Sequence, residues 1–336
     1  MPLNLLEIQP NQVSRDISSY TTLLFGPPKI GKSRLAAEFP SPIFFCTEPT
    51  QETIPAAYLA PVRKWSEIKN YVKQLKQPAL KERFKTVVID VIDLAATYCK
   101  EYICNQQGVE AIKDIPWGEG YNMEENEFRK TLYEIRQEGY GLVMLSHVVN
   151  GTFTREDGSE YNEKSPTIPG KRLKAIAENL ADIYGYIHMA KQEDGSYARV
   201  ISLRASDPST PNGNHFKYMP SEIPLSYDAL AKALKEAIDK EEQEVGSQFF
   251  IDNKQNFDEV EELDFDALLS EFNNMTKAVQ QNVSKEDFNK VWGPKIVEIT
   301  SKYLGKGKKV RDITSEQVEQ LALIVDDLRT EIENGI

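Results

Sequence analysis

Residues 26–33 read Gly-Pro-Pro-Lys-Ile-Gly-Lys-Ser, directly after the apolar run YTTLLF (20–25) and before a stretch with helical spacing. The pattern G-x-x-x-x-G-K-[ST] between a strand and a helix constrains everything built around it. Successive backbone N–H groups must turn inward to hold phosphate oxygens, and the positive end of a helix dipole must add to that field. Pro27 and Pro28 carry no N–H, so the donors come mainly from Lys29 onward and the prolines stiffen the loop. Gly26, Pro27, Pro28, Lys29, Ile30, Gly31, Lys32 and Ser33 are therefore the expected cradle. Lys32 is expected to reach the β- and γ-phosphates, and the Ser33 hydroxyl to bind magnesium. ATP and Mg2+ are the cofactors that this pattern implies.

The surrounding pattern supplies a fold for the cradle. Short, continuously apolar runs at 20–25, 42–47, 57–62, 85–90 and 141–146 read as buried parallel strands. Helical patterns lie between them: one after Gly31 that stops before Pro40, then about 64–76, Asp93 to Gly108, and about 122–138. Strands that alternate with helices predict an α/β fold with a mostly parallel sheet flanked by helices. Residues 149–170 are polar, rich in turn formers and aperiodic, and read as a long loop, which in a compact domain is usually functional. A helix at 171–180 follows. DIYGYIHMAK and YARVISLRAS then read as strands joined across Glu-Asp-Gly-Ser, a hairpin signal. Ser226 is placed to cap a helix carrying Leu230, Leu234 and Ile238.

Domain boundaries follow from composition. Residues 1–242 make the nucleotide-binding core, and the acidic, aperiodic stretch 243–262 reads as a linker. Residues 263–336 predict a small all-α domain of amphipathic helices: Leu268, Phe272, Met275 and Val279 on the first, and Phe288, Trp292, Ile296 and Ile299 on the second. The third opens at a Thr314–Gln317 capping box and carries Val318, Leu321, Val325 and Leu328. No apolar run approaches the roughly 20 residues that span a bilayer, and the N-terminal stretch has no signal-peptide pattern, so a cytoplasmic protein without membrane contact is expected. Cys46, Cys99 and Cys104 read as buried free thiols, and the scattered His147, His188 and His215 offer no zinc site. A net charge of −12 over 336 residues argues against a protein that coats nucleic acid through bulk charge and leaves room for a local groove or loop that binds it.

Acidic and polar residues at strand ends complete the candidate site. Asp90 closes the run KTVVID, where a carboxylate can hold magnesium through water. Asp93 lies nearby, on the following helix, where N-terminal capping explains it. Glu48 follows the strand PIFFCT and can polarise a water that attacks the γ-phosphate. Ser146-His147 ends GLVMLS and can set a hydrogen-bonding group against that phosphate.

The order GPPKIGKS, FFCTEP, VVIDVIDLA, WGEGYNMEENEF, GLVMLSHV, long loop and ADIYGYIHMAKQEDGSYARVISLRAS resembles the phage-encoded RecA-superfamily ATPases of single-strand annealing and recombination modules, the Sak-type group. The resemblance covers about residues 15–210. It implies a RecA-like core, assembly as a homo-oligomer and binding of single-stranded DNA. It gives Glu48 the place of the catalytic glutamate and His147 that of a γ-phosphate-sensing residue. Residues 149–170 take the place of the DNA-contacting loop, with Phe153, Arg155, Tyr161, Lys164, Lys171 and Arg172 as candidate contacts. Between 149 and 174 five basic residues face four acidic ones, a modest electrostatic drive. Arg204 becomes the candidate arginine finger reaching a neighbour's ATP, with Arg199 in reserve.

Two rival functions remain at this point. A nucleotide kinase needs an arginine-rich lid, whereas the long loop here is balanced in charge. An ATP-gated loader would use the helical domain to recruit a single-strand-binding or replication protein.

Overall fold

The computed structural model describes residues 10–48, 53–55, 57–155, 157–204, 214–253 and 263–335. Contacts divide the chain into two compact units, 1–257 and 258–336.

In the first unit β1 (Val13–Ser14) and β2 (Thr21–Phe25) lead into the cradle and α1 (Lys32–Ala37). Then come β3 (Pro42–Cys46), β4 (Tyr58–Pro61), α2 (Trp65–Leu75), α3 (Pro78–Arg83), β5 (Thr86–Asp90) and α4 (Ile92–Gln107). They are followed by α5 (Glu119–Gln137), β6 (Gly141–Ser146), β7 (Val148–Thr154), β8 (Glu160–Pro166) and α6 (Lys171–Leu180). The unit closes with β9 (Ile183–Lys191), β10 (Tyr197–Ser202), β11 (Glu222–Pro224), α7 (Tyr227–Val245) and β12 (Phe250–Ile251).

An eight-stranded sheet, ordered β11-β10-β9-β2-β6-β5-β3-β4, organises this unit. From β9 to β4 every neighbouring pair is parallel, whereas β10 and β11 add on as antiparallel strands. The interior strands β2, β5 and β6 are buried along their whole length, which is why they read as unbroken apolar runs. One face packs against α2, α4, α5 and α6 through Trp65, Phe128, Leu132 and Leu173. The other packs against α1 and α7 through Leu35, Leu230, Leu234 and Ile238. Ser226 caps α7 by accepting the Ala229 N–H at 3.2 Å. Cys46, Cys99 and Cys104 are free and buried. No helix among the described residues is long and apolar enough to cross a membrane.

Two expectations are corrected. The expected loop 149–170 contains an antiparallel hairpin, β7–β8, in register from Val148↔Pro166 to Thr154↔Glu160. Polar residues dominate both strands, so no strong apolar run marked them. The expected linker 243–262 is ordered at its start: α7 runs to Val245, and β12 pairs in parallel with β1. Backbone pairing to a strand distant in sequence holds that piece, and composition is blind to it. The stretch 254–262 lies outside the described residues.

The second unit contains α8 (Phe265–Asn282), α9 (Lys285–Asp287), α10 (Gly293–Leu304) and α11 (Val318–Gly335), with a π-helical turn at Phe288–Trp292. Phe272, Val279, Trp292, Ile299, Leu321 and Val325 meet in a core of its own.

The WGEGY segment joins α4 to α5. These helices run antiparallel, since Cys99 Sγ meets the Glu124 carbonyl and Ile103 packs near Met123. Gly118 has φ +73°, and a Cβ on Gly120 would lie 2.6 Å from the Ile112 carbonyl oxygen. Trp117, by contrast, is wholly exposed at 101%. We expect Gly120→Ala to cost about 1–3 kcal/mol through overpacking. Trp117→Ala should stay within about 0.5 kcal/mol of wild type, as surface changes do. Urea unfolding of the two variants separates these roles, and equal costs would contradict the packing account.

Candidate functional site

Parallel strands carry the chain to one edge of the sheet, and that edge is where an α/β protein of this kind binds its ligand. The cradle leaves β2 there. Lys29 and Gly31 take positive φ values of 62° and 120°, the alternation that turns successive N–H groups to one side. Gly26 is required by space: a Cβ would sit 2.4 Å from the Ile187 carbonyl oxygen of β9. The loop is further tied to β6 by the Gly26 N–H, which donates to the Ser146 carbonyl at 3.2 Å.

Lys32 is only 6% exposed. Its ammonium donates to the carbonyls of Gly26 at 2.8 Å and Pro27 at 3.0 Å. Burial lowers its pKa from the ordinary lysine value, and the charges of Asp90, Asp93 and Glu48 oppose that shift. A buried cation facing acids from two neighbouring strand ends has the charge balance expected of an anion site.

Sheet order explains why those acids converge. β6 lies between β2 and β5, so its end falls between the cradle and Asp90. Asp90 is 2% exposed at the end of β5. The next strand outward, β3, delivers Glu48. Its Oε1 lies 3.3 Å from His147 Nε2, while His147 Nδ1 is buried with no hydrogen-bond partner among the described residues.

For magnesium, the residues present fit. Ser33 supplies a half-buried hydroxyl and Asp90 a buried carboxylate, both hard oxygen donors beside the cradle. Among the described residues no cluster of three or more His, Cys, Asp or Glu could hold a metal. Magnesium needs none, because phosphate and water supply most of its ligands.

Asp93 has a different place from the one expected. α4 is capped at Val91 without a side-chain bond, and Asp93 reaches across to the end of β6. Its carboxylate accepts from Ser146 Oγ at 2.5 Å, the His147 N–H at 2.8 Å and Thr167 Oγ1 at 2.9 Å. The Thr167 N–H also donates to the His147 carbonyl at 3.1 Å. Asp93 therefore holds both feet of the β7–β8 hairpin beside His147. Sequence spacing gave no sign of this, because the partners lie 53 to 74 positions away.

The candidate nucleic-acid residues do not share one surface. Strand alternation puts Tyr161 on one face of the hairpin and Lys164 on the other, while the side chain of Phe153 lies outside the described residues. The Arg155 guanidinium stacks over the Tyr161 ring at 4.7 Å. Lys164 bonds Asn150 across the strands. Lys171 and Arg172 open α6, where Arg172 donates to Asn122 at 2.8 Å and meets Glu125 at 3.3 Å.

Arg199 of β10 and Arg204 just after it part company. Because β10 runs back from the cradle edge, Arg204 lies beyond its far end and donates to the Met219 carbonyl at 3.1 Å. Arg199 stays near the cradle: its Nη1 is 3.8 Å from a Cβ built on Gly31.

Residues 18–213 match the family described as AAA domain. Along 336 residues the chain is 26% identical to the SPbeta prophage-derived uncharacterized protein YorG of Bacillus subtilis strain 168, covering 98% of each.

Replacing Asp93 by Ala removes three charge-assisted bonds and leaves the fully buried Ser146 hydroxyl only its longer bond to the His147 carbonyl, at 3.1 Å. We expect a loss of about 1–3 kcal/mol and faster hydrogen exchange across 148–167. Unchanged exchange there would contradict the clasp.

Proposed function

Because the chain belongs to the AAA domain family of P-loop ATPases, we propose that it hydrolyses ATP as a RecA-like motor with a helical accessory domain. On this reading it binds single-stranded DNA when ATP is bound and promotes annealing or recombination. One observation carries the proposal: the Glu48–His147 pair stands beside the cradle, and Asp93 ties His147 to the base of an exposed hairpin. A group that meets the γ-phosphate is thereby joined to the segment that would meet DNA.

The chemistry follows from these positions. Glu48 takes a proton from a water as the water oxygen bonds the γ-phosphorus, and the bond to the ADP oxygen breaks. His147 reports whether the γ-phosphate is present. Lys32 offsets phosphate charge, and magnesium held by Ser33 and Asp90 supplies further neutralisation when bound. Arg204 of a neighbouring copy completes the site in a head-to-tail oligomer. Its tie to Met219 is a single neutral-acceptor bond, which a phosphate can replace.

A second role rests on the separate core of residues 258–336 and on the exposed Val291 and Val297 in that unit. This unit recruits a single-strand-binding or replication protein while the ATPase unit holds DNA.

Lys32→Ala should abolish ATP turnover and leave the circular dichroism unchanged; retained turnover would refute the site. Arg204→Ala should be inactive alone and regain activity when mixed with Lys32→Ala, and absence of rescue would exclude a site completed in trans. Anisotropy of a labelled oligonucleotide should show binding at least about tenfold tighter with a non-hydrolysable ATP analogue than with ADP, a usual allosteric coupling. Equal binding in both states would leave an ATPase without DNA gating.

A further inference from the structure

We propose that Arg199 binds the α- and β-phosphates of the nucleotide in the cradle of its own chain, an inference that rests on the nucleotide-binding reading of residues 26–33. The position follows from strand register. Phe25 of β2 stands level with Tyr186 of β9, which pairs with Ser202 of β10. Arg199 pairs with Met189, three residues further toward the cradle, or about 10 Å past the end of β2. The β9–β10 hairpin thus overshoots the sheet edge and brings Arg199 alongside the loop.

Its backbone is fixed there. The Arg199 carbonyl accepts the Leu225 N–H at 3.0 Å, and Leu225 Cδ2 lies 3.1 Å from the Cβ position of Gly31. The guanidinium lies 3.8 Å from that same position, beside the residue that opens α1.

Arg199 differs from Lys32 and Arg204 in its hydrogen bonding among the described residues. Lys32 has two carbonyls and three acids around it. Arg204 has the Met219 carbonyl. Among the described residues no side chain or carbonyl accepts from the Arg199 guanidinium. Two cations flanking one loop repel each other, and a bound polyphosphate relieves that repulsion. The guanidinium fork also matches phosphate oxygens in pairs. Gly31 sits at the root of the loop, where phosphates retained after hydrolysis lie, so the contact belongs to ADP as well as ATP.

The test uses fluorescent ADP and ATP analogues titrated into the full chain without DNA. Wild type, Arg199→Ala, Arg199→Lys and Arg204→Ala are compared, with Lys32→Ala as the cradle control. We expect Arg199→Ala to weaken ADP and ATP alike by about tenfold or more, the usual loss for a charge-assisted bond. Arg199→Lys should recover part of that loss, and Arg204→Ala should bind ADP as wild type does. Mixing Arg199→Ala with Lys32→Ala should restore nothing. Unchanged affinity in Arg199→Ala, weakening confined to ATP, or rescue on mixing would each overturn the proposal, the last by assigning Arg199 to a neighbour's site. Wild-type protein that binds neither analogue would overturn the nucleotide-binding reading as well.

Discussion

A nearly water-free ammonium group at the edge of a parallel sheet sets the terms for the rest of this molecule. Lys32 is held by carbonyls of its own loop and faces Asp90 and Asp93, from the junction of β5 with α4, and Glu48, from beyond the end of β3. Desolvating that charge is costly, and the acids and carbonyls offset the cost only if β5, β6 and β3 bring their ends to one place. The sheet order does this: β6 enters between the cradle strand and the Asp90 strand and carries Ser146 and His147 with it. Asp93 then fastens the hairpin to the same edge. Each acid consequently serves the lysine, and Asp93 also places the hairpin; the proposed function gives Asp90 and Glu48 second tasks in magnesium binding and water activation.

Much of this was legible in the residues themselves. The buried strands announced themselves because both faces are covered, and the cradle because phosphate binding demands that spacing of glycine and lysine. The hairpin at 148–166 was not read, although a signal was present. Glu-Asp-Gly-Ser occurs at 156–159 and again at 193–196, and only the second stands between apolar runs that read as strands. The two turns are built alike. Asp157 and Asp194 each accept the N–H and hydroxyl of the serine two positions on, at 2.9 and 2.6 Å. The glycines take φ +82° and +85°. Apolar flanks made the second visible, whereas polar flanks concealed the first. Asp93 was concealed for another reason. A carboxylate in the first turn of a helix has an ordinary local explanation, and its true partners are distant in sequence.

The arginines show what spacing alone leaves open. Arg199 on β10 and Arg204 just beyond its end lie five positions apart, and in the sequence either suits a role at the phosphates. The antiparallel course of β10 separates them, carrying Arg204 away from the cradle of its own chain and leaving Arg199 beside it. A strand's direction thus leaves only one of the two beside the cradle, which is why the two arginines are proposed for different nucleotides.

The most direct test of the central claim, that this edge is an ATPase site joined to DNA and completed between copies, is the rate of ATP hydrolysis per chain. It is measured with and without single-stranded DNA at two protein concentrations. The account requires a rate that rises with DNA, and a rise that is larger at the higher concentration. A rate per chain indifferent to both would contradict it, leaving a self-contained ATPase whose hairpin does not answer to DNA.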